Sequence, residues 1–521
     1  MPAKQTISFL PNICERFDPD SSPGFWPIQP RDIRLMFDRF DDGFIKYLDK
    51  ARSDDDCLVL WAASALISGR VRTILELAKL HQAAEESGVS FENQHPVFAF
   101  LSGQSKSFDV SLISAPPLPF VKGSLLRRLL RMYTWSGPFR LPQSVFDQKR
   151  VVVSHNSFLV SELKRIGAAA HYRYADDFYS AMKPQLEIEE PAQRRAEDLS
   201  GAILDWITPS LTPTENLHLV LRETIARTMQ DAMDRSVAAR SVTDLPEVLY
   251  GGSGGSAAGR FLGFEVMRRG GKVVRFDHGG TPITVPQSVP YYLIELLPTS
   301  HFVTFSPLAR DRLSTNVSGL EETSFKIPEL QAGGGDPSFE LGLKDAKGPS
   351  APDQPKVLYL NTAFRGIWQY PTPLLSDQIY LRFQAAVMKA LTARYSQVAI
   401  RPHPEGMLRG HAHPLEDIAH VERRPLAEAV GDYDVLVFDF RRTSSLWQSL
   451  CTNKAVVFLD LDMDPVNQQT AQEFEDRVSV VPIPFDDCNV PVLDEAALDH
   501  AVRDSMHKRD PSGFRQLLLA R

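Results

Sequence analysis

At 521 residues the chain exceeds one ordinary domain and has room for two or three. Its 43% hydrophobic and 23% charged residues match a soluble globular average, so a sizeable core can be buried. A formal net charge of −8 lacks the basic footprint of a nucleic-acid partner, while still allowing a local basic cleft for a phosphorylated ligand. Cys14, Cys57, Cys451 and Cys488 are scattered without a CxxC, which argues against a disulfide framework or structural zinc and for a reducing cytoplasm. The N-terminal stretch MPAKQTISFLPNICERFDPD carries no apolar run of signal-peptide length, and no run of eighteen apolar residues is free of charge. The expected location is cytoplasmic with no transmembrane segment, and peripheral association with the inner membrane is left open.

Residues 30–100 carry apolar residues at helical spacing, as in DCLVLWAASALISGRVRTILELAKLHQAAEES. Short apolar runs follow at 108–119 (FDVSLISAPPLP) and 150–157 (RVVVSHNS), the second leading into FLVSELKRIG as strand, loop and helix. Residues 190–245 read as helical. PEVLY, GGSGGSAAG, RFLGFEVMRRGG and KVVRF then make a βαβ unit ending in DHGGTP, and HFVTFSP adds a strand before the short helix LARDRLS. A Gly-, Pro-, Ser- and Asp-rich stretch at 331–355 reads as a linker. Beyond it KVLYLNT, QVAIRPH, DVLVFDF and KAVVFLDL are strands alternating with helices such as IYLRFQAAVMKALTARY. That rhythm predicts mostly parallel sheets covered on both faces. The domains are therefore expected at 1–330, with helical additions, and at 356–521, with ligands outside the carboxyl ends of the strands.

Three strand ends carry distinctive chemistry. Asp277-His278-Gly279-Gly280-Thr281-Pro282 follows KVVRF. A carboxylate or imidazole there could take a proton from an acceptor hydroxyl, and the glycines admit a close approach. Arg401-Pro402-His403-Pro404-Glu405-Gly406 follows QVAI. Its prolines display the imidazole, which could hold a phosphate oxygen and steady a departing nucleotide. Asp439-Phe440-Arg441-Arg442-Thr443-Ser444-Ser445 opens a helix, whose free N–H groups, hydroxyls and guanidiniums suit a phosphate. An ordinary capped helix fits the serines equally well. His411 and His413 read as a solvated loop without the partners that a metal would need.

In this order the motifs resemble those of bacterial GT-B-type transferases that use cytidine nucleotides. Sialyltransferases and related CMP-sugar enzymes carry an acidic D/E-D/E-G motif, then HP, then paired serines. Asp277-His278-Gly279, His403-Pro404 and Ser444-Ser445 take those places, with His278 where a second acidic residue is usual. The resemblance implies two Rossmann-like domains about a cleft, Asp277 or His278 as base, His403 assisting the departing CMP, and Ser444 and Ser445 on its phosphate. HGGTP, RPHP and DFRRTSS are also similar to the HGTP, RxHP and DYSS motifs of CDP-glycerol-type polyol-phosphate transferases, with one extra glycine and an Arg441-Arg442-Thr443 insertion. In that family His278 would be the base. The resemblance spans roughly residues 245–465 and does not reach the first 240. A literal Asp41-Asp42-Gly43 lies in a helical stretch and reads as a surface turn.

The expectation is an α/β fold of GT-B type with extra N-terminal helices, transferring Kdo, sialic or another nonulosonic acid from a CMP-activated donor to a surface glycan or protein hydroxyl. Donor contacts are assigned to Arg401, His403, Pro404, Glu405, Arg441, Thr443, Ser444 and Ser445. Acceptor contacts are assigned to Ser253, Ser256, Arg260, Gly279 and Gly280, and no metal or other cofactor is required. The glycine-rich loop at 251–256 lacks the GK[ST] of a Walker A loop, and a ligand-free βα turn fits it as well. Ser154-His155-Asn156-Ser157, Asn361, Arg365 and Trp368 are further strand-end candidates. A nucleotide-sugar epimerase of the same fold and a non-catalytic nucleotide-binding relative are the alternatives.

Overall fold

The computed structural model describes residues 6–8, 25–51, 57–92, 96–109, 125–179, 187–280, 289–317, 327–340, 354–362, 364, 375–403, 412–463 and 467–521. The helical opening consists of α1 (Pro30–Lys50) and α2 (Cys57–Ser87). Proline starts α1, where its missing N–H costs nothing. Among the described residues α2 is the one helix long and apolar enough to cross a membrane, yet 67% of its most apolar window is buried inside the fold. Next comes α3 (Leu125–Phe146), broken at Gly137 (φ +64°) and restarted by Pro138.

The first α/β unit follows: β1 (Arg150–Ser154), α4 (Ser157–Arg165), β2 (His171–Tyr172), α5 (Glu190–Ile207), α6 (Glu215–Ser241), β3 (Val248–Gly251), α7 (Ala257–Arg268), β4 (Lys272–Phe276), β5 (His301–Thr304), α8 (Pro307–Val317) and β6 (Glu329–Ala332). Its strands lie in the order β2-β1-β3-β4-β5-β6, with every pairing parallel. The second unit contains β7 (Val357–Leu360), α9 (Asp377–Arg394), β8 (Val398–Arg401), β9 (His420–Val421), β10 (Val435–Phe438), α10 (Ser444–Leu450), β11 (Ala455–Asp460), α11 (Gln468–Arg477), β12 (Ser479–Pro482), α12 (Glu495–Ser505) and α13 (Ser512–Leu519). Its order is β9-β8-β7-β10-β11-β12, again parallel throughout. Among the described residues the fold is thus α/β with two six-stranded parallel sheets, a small parallel pair of residues 6–8 with 90–92, and many helices. The central strands VLYL and VLVF are buried at every position, as strands covered on both faces must be.

The expected boundary at 330/331 cuts a strand. β6 continues to Ala332, so the start of the expected linker belongs to the first unit, and the 3₁₀ turn at Pro337–Phe339 packs against α4 of that unit and against α10 and α13 of the second. The C-terminus returns to the first unit as well. Ser306 Oγ donates to the Leu517 carbonyl at 2.7 Å, and the Asp336 amide donates to that of Leu518 at 3.2 Å. Accordingly one hydrophobic cluster joins Val152, Phe276 and Phe305 of the first unit to Trp447, Phe474 and Leu518 of the second.

The sequence 41–43 is not a surface turn. Asp41 lies mid-helix in α1, only 8% exposed, and pairs with Arg72 of α2. Burial lifts its carboxyl to about 6 against the pull of Arg72. Gly43 carries the Trp206 ring of α5, 2.2 Å from where a Cβ would stand.

Candidate functional site

Residues just past β1, β3 and β4 are tied together by Asn156. Its Oδ1 caps α4 by accepting from the Leu159 amide at 2.7 Å, and its Nδ2 donates to the carbonyls of Gly252 at 2.7 Å and Asp277 at 3.3 Å. The glycine-rich loop fits by having no side chains there. A Cβ on Gly252 would stand 2.7 Å from the Asn156 nitrogen, and one on Gly254 would stand 2.0 Å from the Ile294 carbonyl oxygen. The loop already holds a carboxylate of this chain. Gly254 N–H donates to Glu295 at 2.7 Å and the Ser253 hydroxyl donates at 3.3 Å.

The acceptor assignments divide on this geometry. Ser253 serves Glu295. Ser256 caps α7, accepting from the Gly259 amide at 3.3 Å. Arg260 is corrected to a structural role: it is fully buried and donates to the carbonyls of Trp61, Ala62, Leu293 and Ile294 and to Ser64 Oγ. Those bonds fasten α7 to α2, and a guanidinium so occupied presents nothing to a ligand.

The turn after β4 separates its two candidate bases. Asp277 is completely enclosed, and neither carboxylate oxygen meets hydrogen-bonding geometry with a described residue. Burial first, then the charges of Glu295 and Asp336, push its carboxyl well above the ordinary range, while the His278 amide pulls the other way. His278 instead is 46% exposed at its side chain, with Nδ1 4.0 Å from Glu295 Oε1. Gly279 and Gly280 both sit at positive φ, +74° and +71°, where other residues are strained. Gly280 lies against Leu518 of α13 and Trp447 of α10. The first motif therefore abuts the helix that the third motif opens.

In the second sheet the strand order reverses between β7 and β10, the kind of switch point where open α/β sheets bind ligands. Asn361, after β7, donates to Gln384 Oε1 at 2.7 Å and lies 3.4 Å from His413 Nε2, while its Oδ1 is buried without a partner among the described residues. Asp439, after β10, accepts from the Tyr359 hydroxyl. Burial raises it to about 6, opposed by the Tyr359 and Tyr380 hydroxyls. At the end of β8, Arg401 donates through Nε to the Arg424 carbonyl at 3.1 Å and His403 is half-buried. Pro404, Glu405, Arg365, Trp368, His411 and residues 110–119 of the expected early strand lie outside the described residues.

Thr443 caps α10 from its side chain, 3.4 Å from the Ser445 amide. The Ser444 and Ser445 hydroxyls form no hydrogen bond among the described residues. Arg441 does not join them. It is buried, pairs with Asp460 at 2.7 Å and stacks on Phe458 and Phe474, so its assignment to the donor is corrected; Arg442 beside it is exposed. His413 is likewise no solvated loop residue: it is buried against Phe364, and burial drops its imidazole to about 4.

Sequence reasoning missed Glu295. Its signal was a single carboxylate inside the apolar run YYLIELLP, a position costly for a charge unless it is hydrogen-bonded. It also missed a pocket of about 310 Å³ beyond β1, lined by Arg131, Thr134, His155, Asn156, Ser157 and Val160. That pocket lies by β1 and β3, where the order of the first sheet reverses. His155 stands edge-on to Tyr172.

No family model and no curated protein matches the chain. Among solved structures it is similar to a co-structure of S. aureus MnaA with UDP, at 10% identity and a TM-score of 0.35, covering 70% of this chain and 91% of that one. A likeness this distant bears on neither chemistry nor ligand.

Proposed function

We propose that the chain is a GT-B-type transferase that moves a sugar from a CMP-activated donor to an acceptor hydroxyl, with His278 as its base. The observation that carries this reading is the exposed imidazole of His278, backed by Glu295 and carried on a turn that meets α10. His278 takes the hydroxyl proton, and Glu295 steadies the imidazolium that forms. The acceptor oxygen bonds to the anomeric carbon as the bond from that carbon to the phosphate oxygen breaks. Its electron pair leaves on CMP. Ser444, Ser445, Arg401 and His403 receive the phosphate, and Arg442 suits the carboxylate of a nonulosonic acid.

Exposure of His278 with enclosure of Asp277 also favours the polyol-phosphate reading, whose base is the histidine. There the acceptor oxygen attacks phosphorus and CMP is again expelled. The test is calorimetric binding of CMP, CDP and UDP, followed by product analysis. CMP bound in preference to UDP, and lost in His403→Ala, supports a cytidine donor. A glycoside product then separates sugar transfer from a phosphodiester product. Preference for UDP overturns both readings.

A further inference from the structure

We infer that α3 is a docking surface for an anionic lipid bilayer. The large apolar side chains left exposed among the described residues are Leu35, Leu125, Leu126, Leu130, Tyr133, Phe139, Phe146, Ile166, Val237 and Val492, and most of them lie on this one element. Its inward face packs Met132, Trp135 and Ser136, with Trp135 Nε1 donating to the Ala170 carbonyl at 3.2 Å. Leu126, Leu130 and Tyr133 recur at four- and three-residue spacing on the opposite side, so they share a stripe that the fold leaves uncovered. Past the break at Gly137 and Pro138, Phe139 stands 97% exposed. An apolar row of this extent is exceptional on a water-facing surface.

Charge selects the occupant. Residues 125–146 contain Arg127, Arg128, Arg131 and Arg140 and no carboxylate, in a chain whose net charge is −8. Arg127 and Arg140 are exposed, Arg140 with its guanidinium against Gly167 past the end of α4. Arg128 and Arg131 turn inward, to Asp177 at 2.8 Å and to the Tyr172 and Tyr174 hydroxyls. A helix whose exposed side chains include leucines, aromatics and arginines, with no carboxylate among them, suits the interface of an anionic membrane. A second copy of the chain suits it less, since a two-fold contact would set these arginines against their own copies. Behind the helix, Arg131 and Thr134 line the pocket whose other wall is His155-Asn156-Ser157. A headgroup at α3 would therefore stand beside the strand ends that Asn156 ties to Asp277.

Co-sedimentation of the full chain with vesicles tests this surface separately from any activity. The chain is expected to pellet with phosphatidylcholine vesicles containing ~30% phosphatidylglycerol and far less with phosphatidylcholine alone. Leu126→Asp/Leu130→Asp/Phe139→Asp should remain in the supernatant, with thermal midpoint and CMP affinity unchanged. Arg127→Gln and Arg140→Gln should each weaken binding about fivefold. Absence of wild-type binding at low salt, or unaltered binding by the triple variant, overturns the inference. So does a wild-type dimer, dissociated by the triple variant, in a chain that ignores vesicles.

Discussion

The two sheets share an architecture and finish their strand ends differently. Past the first sheet, backbone presses on backbone. Asn156 binds two carbonyls, Gly254 has no room for a methyl group, and Glu295 is seized by the loop in front of it. Two imidazoles, His155 and His278, are left exposed there. Among the described residues, the unpartnered polar atoms past the first sheet are confined to the enclosed Asp277 carboxylate, whereas past the second sheet they spread over several groups: Asn361 Oδ1 and Asp439 Oδ1 are buried without partners, and the Ser444 and Ser445 hydroxyls lack them too. A rigid platform bearing an exposed base such as His278 suits proton transfer, where small misplacements are costly. Unfilled acceptors and hydroxyls suit a ligand that completes them.

This contrast is sharpened most by His278→Ala. Turnover is expected to fall about 10²- to 10⁴-fold with calorimetric CMP affinity retained. Loss of both would place the imidazole in the donor pocket and collapse the distinction between the sheets.

A smaller effect comes from Gly254→Ala. The new methyl group would meet the Ile294 carbonyl and should cost about 1–3 kcal/mol in denaturant unfolding. Wild-type stability in that variant would mean that the platform yields.

Asp277→Asn should retain most turnover, because the side chain is enclosed. With its folded pKa above its unfolded one, Asp277 favours the folded state fully below the unfolded value of 3.8. That contribution fades as pH rises through the folded value. The asparagine variant should therefore gain on the wild type in denaturant unfolding as pH rises above 3.8. Lost turnover with this gain would make Asp277 the base.

The smallest effect lies in the second sheet. Asp439, raised to about 6, lowers stability as pH climbs from 3.8 to that value. His413, lowered to about 4 from 6.5, raises stability across much the same span. The slopes oppose each other, so urea midpoints near pH 5 should change little until His413→Gln exposes the downward slope of Asp439. An unchanged profile in that variant would show that His413 does not titrate as a buried group.

The strands and helices were legible because they obey local rules. VLVF and AVVFL are uninterrupted apolar runs of the kind that a doubly covered strand sustains, and a glycine pair closes RFLGFEVMRRGG. The motif residues at 277–280, 401–403 and 443–445 do lie just past their strands. What escaped was decided by distant partners. Arg260 reads like any charged residue beside a glycine loop until carbonyls from α2 surround it. Arg441 reads as an anion receptor until Asp460 and two phenylalanines enclose it. Asp41 and His413 look solvated in sequence because nothing within a few residues announces Arg72 or Phe364. α3 escaped for the converse reason: its leucines promise burial, and the fold does not supply it.

The return of α13 to the first unit has a consequence for biosynthesis. Leu517 and Leu518 offer carbonyls to Ser306 and Asp336, and Gly335 lies against the backbone of Leu519. The N-terminal half thus emerges from the ribosome long before the segment that finishes it. Until translation reaches the codons of α13, Phe276 and Phe305 await an apolar lid, and a nascent chain stalled shortly before that helix would hold a complete first sheet with that cluster unsealed.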